Sequence, residues 1–369
     1  MLKISDRDWM PFDITGDSGL FQLAATKSGI DKNKLNCTPG KFPYITRSDS
    51  NNGANMFVTD CQQMKFKHDN ANVITIGLDT QTCFYQPSPF YTGQNIQVLS
   101  NNILNQYSAL FVCTALKQQL KKFHWGGNGA TLGRLYRTKI LLPVDISGNP
   151  DFKFMENFVK ERQREKLNRY LAYAEEEFLQ IKSSMASKQV EKLSNVHWEP
   201  FVIGEIFKTL VAGKSGGRNH FVEDWNTGTA YIGATNKNNG VLSFVKFDAD
   251  KTQPGNAIGF IKNGNGSAGY SIYKQEAFIS TSDVIFGYAD WLNKYTGLFI
   301  TTCSDMSQTK YSHGYKWTKD RLERSTIMLP ISADGSPDYQ YMEQYIRAQQ
   351  SEKLGQYIAF AKSRVADMA

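Results

Sequence analysis

Two isolated arginines are the side chains best suited to reading a nucleic acid. Arg47 and Arg218 each lie in a stretch rich in serine, asparagine and glycine, and each is the only arginine within a span of more than one hundred residues. A planar guanidinium can donate two parallel hydrogen bonds to guanine O6 and N7. An ordinary surface salt bridge explains the same residues equally well, so the sequence leaves both interpretations open.

Asparagines and lysines extend the candidate DNA-binding surface. An asparagine amide can bind adenine bidentately, although asparagine is more often a turn residue, and lysines neutralise phosphates without reading sequence. The candidate residues of the first half of the chain are Lys27, Lys32, Lys34, Arg47, Ser48, Asn51, Lys121 and Lys122. Those of the second half are Lys214, Ser215, Arg218, Asn219, Asn236, Lys237, Asn265 and Lys310.

The charge distribution favours a polyanionic partner. The chain has 369 residues and a net charge of +7. Residues 1–150 contain 15 lysines and arginines, 10 aspartates and no glutamate, whereas the remainder of the chain is close to neutral. A basic globular segment attached to a neutral remainder is typical of nucleic-acid binding, although the excess is modest.

Motifs for catalysis and cofactor binding are absent from the sequence. Gly213-Lys214-Ser215 looks like the end of a phosphate-binding loop, but Lys208 occupies the position where that motif needs its first glycine. No Asn/Asp-Pro-Pro-Tyr/Phe methyltransferase motif and no HExxH zinc motif occurs. We therefore predict no catalytic residue, no metal site and no cofactor in this chain.

Signals for export or membrane insertion are also absent. The first nine residues lack an apolar h-region, and no run of 18 apolar residues occurs. Five cysteines form no CxxC pair, which suits reduced thiols. The sequence predicts a cytoplasmic protein with no membrane partner.

The elements that must position the candidate residues occur twice, because the chain contains an internal repeat. The segment Arg134-Leu-Tyr-Arg-Thr-Lys-Ile-Leu-Leu-Pro143 returns as Arg321-Leu-Glu-Arg-Ser-Thr-Ile-Met-Leu-Pro330, 187 residues later and without a gap. A tryptophan followed by x-Pro-Phe opens both copies, at Trp9 and Trp198. A repeat of about half the chain length indicates a duplicated domain rather than a solenoid.

A long amphipathic helix is predicted to follow each copy, with Asp151 and Asp338 as N-caps. Apolar residues alternate at spacings of four and three, as in an a/d heptad seam. The predicted spacer-helix interface is Leu167, Leu171, Ala174, Phe178 and Ile181 in the first helix, and Leu354, Ile358, Ala361 and Val365 in the second. Matched seams favour antiparallel pairing of the two helices, and packing of each helix on its own domain is the alternative.

The repeat and the helices divide the chain into four segments. We predict an α+β protein with a mixed α/β domain at 1–150, a central helix at 151–190, a second mixed α/β domain at 191–337 and a C-terminal helix at 338–369. Between the matched edges the two domains diverge, and short β-like runs are separated by Gly, Asn and Asp turns. Two domains with similar terminal segments and different central segments are typical of one binding function that is directed at two different targets.

This arrangement resembles the DNA-specificity (S) subunits of type I restriction–modification systems and their type IIB relatives. The resemblance spans nearly the whole chain and rests on Trp198-x-Pro-Phe with the Lys214-Ser-Gly loop, on the domain-closing Ile140-Leu-Leu-Pro143 and Ile327-Met-Leu-Pro330, and on the helices. No single motif is specific to this family, whereas the tandem arrangement of domain, helix, domain and helix is highly specific. The segments 145–150 and 333–337 look more like the type IIB branch, so the type of system stays open.

The resemblance implies two tandem-duplicated target-recognition domains, each reading half of a split double-stranded DNA site, separated by an antiparallel coiled coil that spaces the half-sites. It implies a non-catalytic, prokaryotic subunit that docks two methyltransferase (M) subunits. S-adenosylmethionine would then lie on those partners, with Mg and ATP on a restriction (R) subunit if one joins. Base-contacting residues vary among family members, so none is carried over.

Two other functions stay open at this point. An unrecognised nuclease or methyltransferase centre would make the chain an enzyme, and metal- or cofactor-dependent turnover by the isolated chain would reveal it. A non-catalytic tandem binding or adaptor protein for another polymer would instead show salt-insensitive binding and have no methyltransferase neighbour in the genome.

Overall fold

The computed structural model describes residues 1–123, 128–185, 190–312 and 314–368, and the chain divides into two compact units. The first unit comprises Met1–Tyr170 and the C-terminal residues from Ser363 onward. The second unit comprises Leu171–Lys362. Both boundaries fall within long helices.

The first unit contains three sheets and the beginning of a long helix. Its strands are β1 (Trp9–Asp13), β2 (Gln22–Ala25), β3 (Pro39–Ile45), β4 (Ala54–Val58), β5 (Val73–Gly77), β6 (Cys83–Gln86), β7 (Tyr91–Thr92), β8 (Ile96–Ser100) and β9 (Lys139–Pro143). Its helices are α1 (Gln106–Leu120), α2 (Leu132–Tyr136) and the start of α3 (Phe152–Ser184). The sheets have the strand orders β2-β8-β5-β6, β4-β3-β7 and β1-β9.

The second unit repeats this plan with one additional short strand and one additional short helix. Its strands are β10 (Trp198–Val202), β11 (Thr209–Ala212), β12 (Thr229–Ile232), β13 (Val241–Val245), β14 (Thr252–Gln253), β15 (Ala257–Ile261), β16 (Ser271–Lys274), β17 (Phe278–Ser280), β18 (Val284–Tyr288) and β19 (Thr326–Pro330). Its helices are α4 (Ile203–Ile206), α5 (Lys294–Asp305), α6 (Lys319–Arg324) and α7 (Tyr339–Ala366). The sheets have the orders β11-β18-β15-β16, β13-β12-β17-β14 and β10-β19.

The two units therefore share one topology, which confirms the predicted duplicated α+β architecture. The opening tryptophan strand pairs with the domain-closing strand in both units, with Trp9 opposite Pro143 and Trp198 opposite Pro330. The central strands β5 and β15 are buried along their whole length. Their continuous apolar runs are typical of strands that are covered on both faces.

One helix packs on the four-stranded sheet of each unit, and both helices begin with the same cap. The Asn105 side chain accepts hydrogen bonds from the backbone N–H groups of Tyr107 and Ser108 at the start of α1. Asn293 does the same at the start of α5. An asparagine at this position satisfies N–H groups that have no partner within the helix.

The long helices α3 and α7 begin at the predicted aspartate caps. Asp151 Oδ1 accepts a hydrogen bond of 2.8 Å from the Phe154 N–H, and Asp338 Oδ1 accepts one of 2.8 Å from the Tyr341 N–H. Helix α3 ends at Ser184, short of the predicted end near residue 190. Residues 186–189 lie outside the described part of the chain.

Within the second unit, α3 and α7 run antiparallel, as the matched seams predict. Glu175 pairs with Lys362 at 2.7 Å, and Ser184, further along α3, accepts a hydrogen bond from Arg347, which is earlier in α7. Among the predicted interface residues, Ala174, Ile181 and Ala361 are buried. The others are partly buried: Leu167, Leu171, Phe178, Leu354, Ile358 and Val365. In the described part of the chain, neither these helices nor any other is long and apolar enough to cross a membrane.

Candidate nucleic-acid interface

In the second unit, the ends of three strands bring predicted residues to one edge. Strands β12 and β17 are parallel, with Ile232 opposite Ser280, so their carboxyl ends meet. The loop after β11 joins them, because the N–H of Ser215 donates to the Ser280 carbonyl at 2.9 Å. Lys214 and Ser215 therefore lie beside the turn 233–240, which carries Asn236 and Lys237.

The hairpin turn between β15 and β16 completes this edge. The backbone N–H of Asn236 donates to Ser267 Oγ at 3.3 Å, and that hydroxyl donates to Asn236 Oδ1 at 3.1 Å. A Cβ at Gly264 would lie 2.3 Å from the Ala234 carbonyl oxygen, so only glycine permits this approach. We call the surface formed by 213–216, 233–240 and 262–270 the second turn edge; it includes Asn265.

Lys310 lies between the second turn edge and an apolar groove beside Trp198, which it also lines. It ends the 3-10 turn Gln308–Lys310, and the Gln308 side chain donates to the Ala268 carbonyl at 3.5 Å. The structure thus gathers Lys214, Ser215, Asn236, Lys237, Asn265 and Lys310 in one region.

The first unit has an equivalent edge, which includes Arg47. Strands β3 and β7 are parallel, and Ser28 Oγ accepts a 2.9 Å hydrogen bond from the Thr92 N–H at the end of β7. The Arg47 guanidinium pairs with Asp79, which links the turn 46–53 to the turn 78–82. We call the surface formed by 26–29, 46–53 and 78–82 the first turn edge; it includes Lys27, Ser48 and Asn51.

The end of α1 approaches the same edge. Asn128 Nδ2 donates to the Lys122 carbonyl at 2.8 Å, and two residues further on the Ala130 N–H donates to the Leu78 carbonyl at 2.9 Å. Lys121 and Lys122 are exposed here, where they can approach a phosphate backbone beside the turn.

Four predicted residues lie outside the turn edges. Lys32 and Lys34 lie in a 3-10 turn just before Asn36. The Asn36 side-chain amide donates a hydrogen bond of 3.0 Å to the backbone carbonyl of Cys61, beyond the end of β4 that is far from the turn edge. Arg218 and Asn219 lie in a second 3-10 turn, in which Arg218 forms an ion pair with Glu223 at 3.6 Å. Glu223 pairs with Val245, at the end of β13 that is far from the turn 233–240. Both candidate arginines, Arg47 and Arg218, therefore have an ion-pair partner.

A buried carboxylate supports the loop of the first turn edge. Asp69 is buried, and it accepts hydrogen bonds from the Thr26 hydroxyl at 2.5 Å and from the Lys27 N–H at 3.2 Å. Burial raises the pKa of Asp69 above its ordinary value, because the charged form loses hydration, while these hydrogen bonds act in the opposite direction. Asp69 fixes the backbone that presents the Lys27 ammonium.

An asparagine clasp, which sequence reasoning missed, fixes the main turn of each edge. Asn52 Nδ2 donates to the Tyr85 carbonyl at 2.8 Å, and Asn239 Nδ2 donates to the Tyr273 carbonyl at 3.0 Å. Both asparagines have positive φ, and a glycine with positive φ follows each. The repeated Asn-Asn-Gly at 51–53 and 238–240 was the available signal, because asparagine and glycine favour this backbone conformation.

Each unit also carries an apolar groove beside its opening tryptophan. Trp9 stacks on Phe111 and Trp198 on Phe299, both with 6.0 Å between ring centroids. The grooves have volumes of about 460 Å³ and about 770 Å³. Matched residues line them: Ile4, Trp9, Phe111, Leu141, Phe158 and Val159 in the first unit, and Leu193, Trp198, Phe299, Met328, Tyr345 and Ile346 in the second.

Two copies of one α+β unit, each with a polar turn edge and joined through long helices, define a tandem recognition protein. The family model of the type I restriction modification DNA specificity domain matches residues 7–169 and again 195–358, so the chain belongs to this family. It is a DNA-specificity subunit of a restriction–modification system, a non-catalytic class, and this confirms the resemblance. Among the described residues, no group of three or more His, Cys, Asp or Glu side chains could hold a metal ion.

Known relatives cover almost the whole chain. The chain is 29% identical over 343 residues to the specificity subunit of the type II restriction enzyme BgcI from Heyndrickxia coagulans. The aligned region covers 92% of this chain and 94% of that relative. The crystal structure of the type I restriction-modification S subunit from M. genitalium aligns with a TM-score of 0.58 at 17% identity, covering 100% of this chain and 96% of that one. The second similarity concerns the fold alone.

Proposed function

We propose that this subunit selects a bipartite DNA sequence, one half-site per unit, and presents it to two methyltransferase subunits. The observation that carries the proposal is the pair of turn edges, which have the same construction and different residues. Arg47 and Asp79 link the turns of the first edge, whereas Asn236 and Ser267 link those of the second. Two units with the same backbone scaffold and different side chains at the turn edges suit a DNA site whose two half-sites differ in sequence.

The charges fit a division between positioning and reading. Lysines at both edges contact phosphates, and this fixes the register of each unit on the duplex without specifying sequence. Arginine and asparagine side chains on the turns read base edges in the major groove. Because each half-site alone is short, linking two units raises both affinity and sequence information.

The two apolar grooves support two copies of one partner. Their matched lining residues are apolar in both copies of the repeat, although the middles of the domains diverged, so both grooves suit the same apolar surface. We assign this surface to the methyltransferase subunit, which holds S-adenosylmethionine. The similarity to a type II specificity subunit over almost the whole chain supports a type II system.

Exposed residues at the groove rims allow a direct test. Leu141 and Met328 are matched, half-exposed groove residues, so Leu141→Glu and Met328→Glu should leave the fold intact. We expect each single variant to bind one methyltransferase subunit and the double variant none, as measured by native mass spectrometry of the co-expressed complex. Phe57→Glu, at an exposed position on β4, is the control. A double variant that retains two partner subunits would contradict the assignment.

A second measurement tests DNA binding itself. The affinity of the assembled complex for duplex DNA should fall steeply as salt rises, because phosphate contacts release counterions. Salt-insensitive binding would favour the adaptor function instead.

A further inference from the structure

A buried lysine donates a hydrogen bond to the backbone of Asn239, the clasp residue of the second turn edge. Lys274 is the last residue of β16 and is 5% exposed. Its Nζ donates to the backbone carbonyl of Asn239 at 3.3 Å. Among the described residues, no carboxylate lies within 4.0 Å of this ammonium. Burial lowers the pKa of Lys274, while the more distant Glu276 acts in the opposite direction.

Burying an ammonium without a counter-ion costs stability, and lysine is almost never buried unless it is paired. A neutral residue would therefore serve the core of this unit better. The cost needs a compensating function, and the position of Lys274 suggests where that function lies. The bonded Asn239 belongs to the turn 233–240, which also carries Asn236 and Lys237.

The first unit contains a neutral version of the same arrangement. Gln86 ends β6, as Lys274 ends β16, and is 2% exposed. Its Nε2 donates to the Asn52 carbonyl at 3.2 Å and to Thr75 Oγ1 at 3.0 Å. Both units thus place a donor from the same strand end against the backbone of the clasp asparagine. The scaffold requires the donor, and the positive charge is particular to the second unit.

We propose that Lys274 is a positioning residue that determines specificity for the half-site read by the second unit. It holds the backbone of Asn239, so that the turn 233–240 meets the bases in one orientation, and it places a positive charge behind a surface that faces a polyanion. Gln86 performs the positioning part alone in the first unit. This inference rests on the proposed function, because it assumes that each unit reads one half-site.

The test uses the full-length chain co-expressed with its methyltransferase in a host that has no adenine methylation of its own, followed by sequencing of methylated bases. Lys274→Met removes both donor and charge, whereas Lys274→Gln restores the donor found at Gln86. We expect Lys274→Met to raise methylation about tenfold or more at sites with one wrong base in one half only, which corresponds to losing one good base contact. Lys274→Gln should keep the wild-type motif and bind every sequence several-fold more weakly.

Matched variants separate this function from general stability. Gln86→Met should relax the opposite half-site and leave unchanged the half that Lys274→Met affects. Asn239→Gly removes the clasp donor at an exposed position and keeps the positive φ, so it should relax the same half as Lys274→Met even if the methionine variant fails to fold. Its counterpart in the first unit is Asn52→Gly.

Three outcomes would overturn the inference. They are an unchanged motif in both Lys274→Met and Asn239→Gly, equal relaxation of both halves, and a Lys274→Gln variant that is as relaxed as Lys274→Met. A wild-type chain that yields a split motif shows that the proposed function holds even when these variants refute the assignment to Lys274. A wild-type chain that yields no split motif refutes the proposed function itself.

Discussion

The guanidinium of Arg47 is paired with the carboxylate of Asp79, and this contact joins two turns of the first unit. Arg47 remains half-exposed while it makes this contact. Exposed ion pairs contribute only about 0–1 kcal/mol, because water and salt screen both charges. We therefore propose that this ion pair opens when a guanine edge offers Arg47 two acceptors, and that Asp79 holds the guanidinium at the turn edge until then.

Replacing Arg47 with alanine should relax one base pair of one half-site. The loss of a bidentate contact costs about 1–3 kcal/mol of discrimination at that position. Binding assays on a panel of duplexes with single base changes would measure it. A uniform weakening across all sequences would mean that Arg47 contacts a phosphate.

Replacing Asp79 with asparagine is the companion change. It releases the guanidinium from its ion pair without removing it, so the preferred base should persist. Arg218→Ala is the control in the second unit, where the arginine lies outside the turn edge and pairs with Glu223. We expect Arg218→Ala to leave the sequence preference of both half-sites unchanged.

The antiparallel helix pair gives a second prediction. Leu171→Asp places a carboxylate in the partly buried seam, where losing apolar contacts and desolvating the charge cost about 2–4 kcal/mol. The melting temperature should fall, and the methyltransferase should no longer dock. Leu179→Asp, at a largely exposed position on the same helix, is the control and should change neither. Normal assembly of Leu171→Asp would contradict a structural role for the seam.

The helices are also expected to set the distance between the half-sites. Seven residues inserted after Glu175 in α3 and seven before Lys362 in α7 preserve the heptad seam on both sides of this ion pair. Each helix gains about 10.5 Å, which corresponds to about 3 base pairs of duplex. The unread spacer of the methylated motif should lengthen accordingly, and an unchanged spacer would show that the helices do not set it.

The cap of α3 gives a prediction on pH. Burial favours the neutral acid of Asp151, but hydrogen bonds from the Phe154 N–H and Arg7 outweigh it, so the pKa of Asp151 lies below its ordinary 3.8. Stability from the charged form is therefore present above pH 3.8 and is lost as pH falls through the lowered pKa. Asp151→Asn keeps the cap and loses the charge, so its deficit in unfolding free energy at pH 7 should vanish in acid.

Asp151→Ala removes the cap as well. It should cost about 1 kcal/mol more than Asp151→Asn at every pH, because the N–H groups of the first turn lose their acceptor. Chemical denaturation of the three proteins at pH 7 and at a series of acid pH values below 3.8 separates the two effects. An Asp151→Asn deficit that does not shrink as pH falls below 3.8 would show that the ion pair with Arg7 is not its source.

The elements predicted correctly from sequence are those whose signals are local. The caps Asp151 and Asp338 precede helices whose apolar spacing is visible in the sequence. The duplication of the domain was visible in matched segments 187 residues apart, but the strand order was not predicted. The pairing of Arg47 with Asp79 could not be foreseen, because it depends on which hairpins lie side by side. That is decided by the order of strands in two sheets.

Lys274 shows a different limit of sequence reasoning. A lysine at the end of a strand, followed by glutamine and glutamate, predicts an exposed side chain. Its burial arises from the turn 233–240, which packs over β16 through the clasp of Asn239. Only the tertiary arrangement places this charge behind the candidate reading surface.

The most direct test of bipartite recognition is sequencing of methylated bases in a host that expresses this chain with its methyltransferase. We expect one split, asymmetric motif with a methylated adenine in each half, and no methylation when either protein is expressed alone. A continuous motif, or methylation that does not depend on this chain, would contradict the assignment of one half-site to each unit.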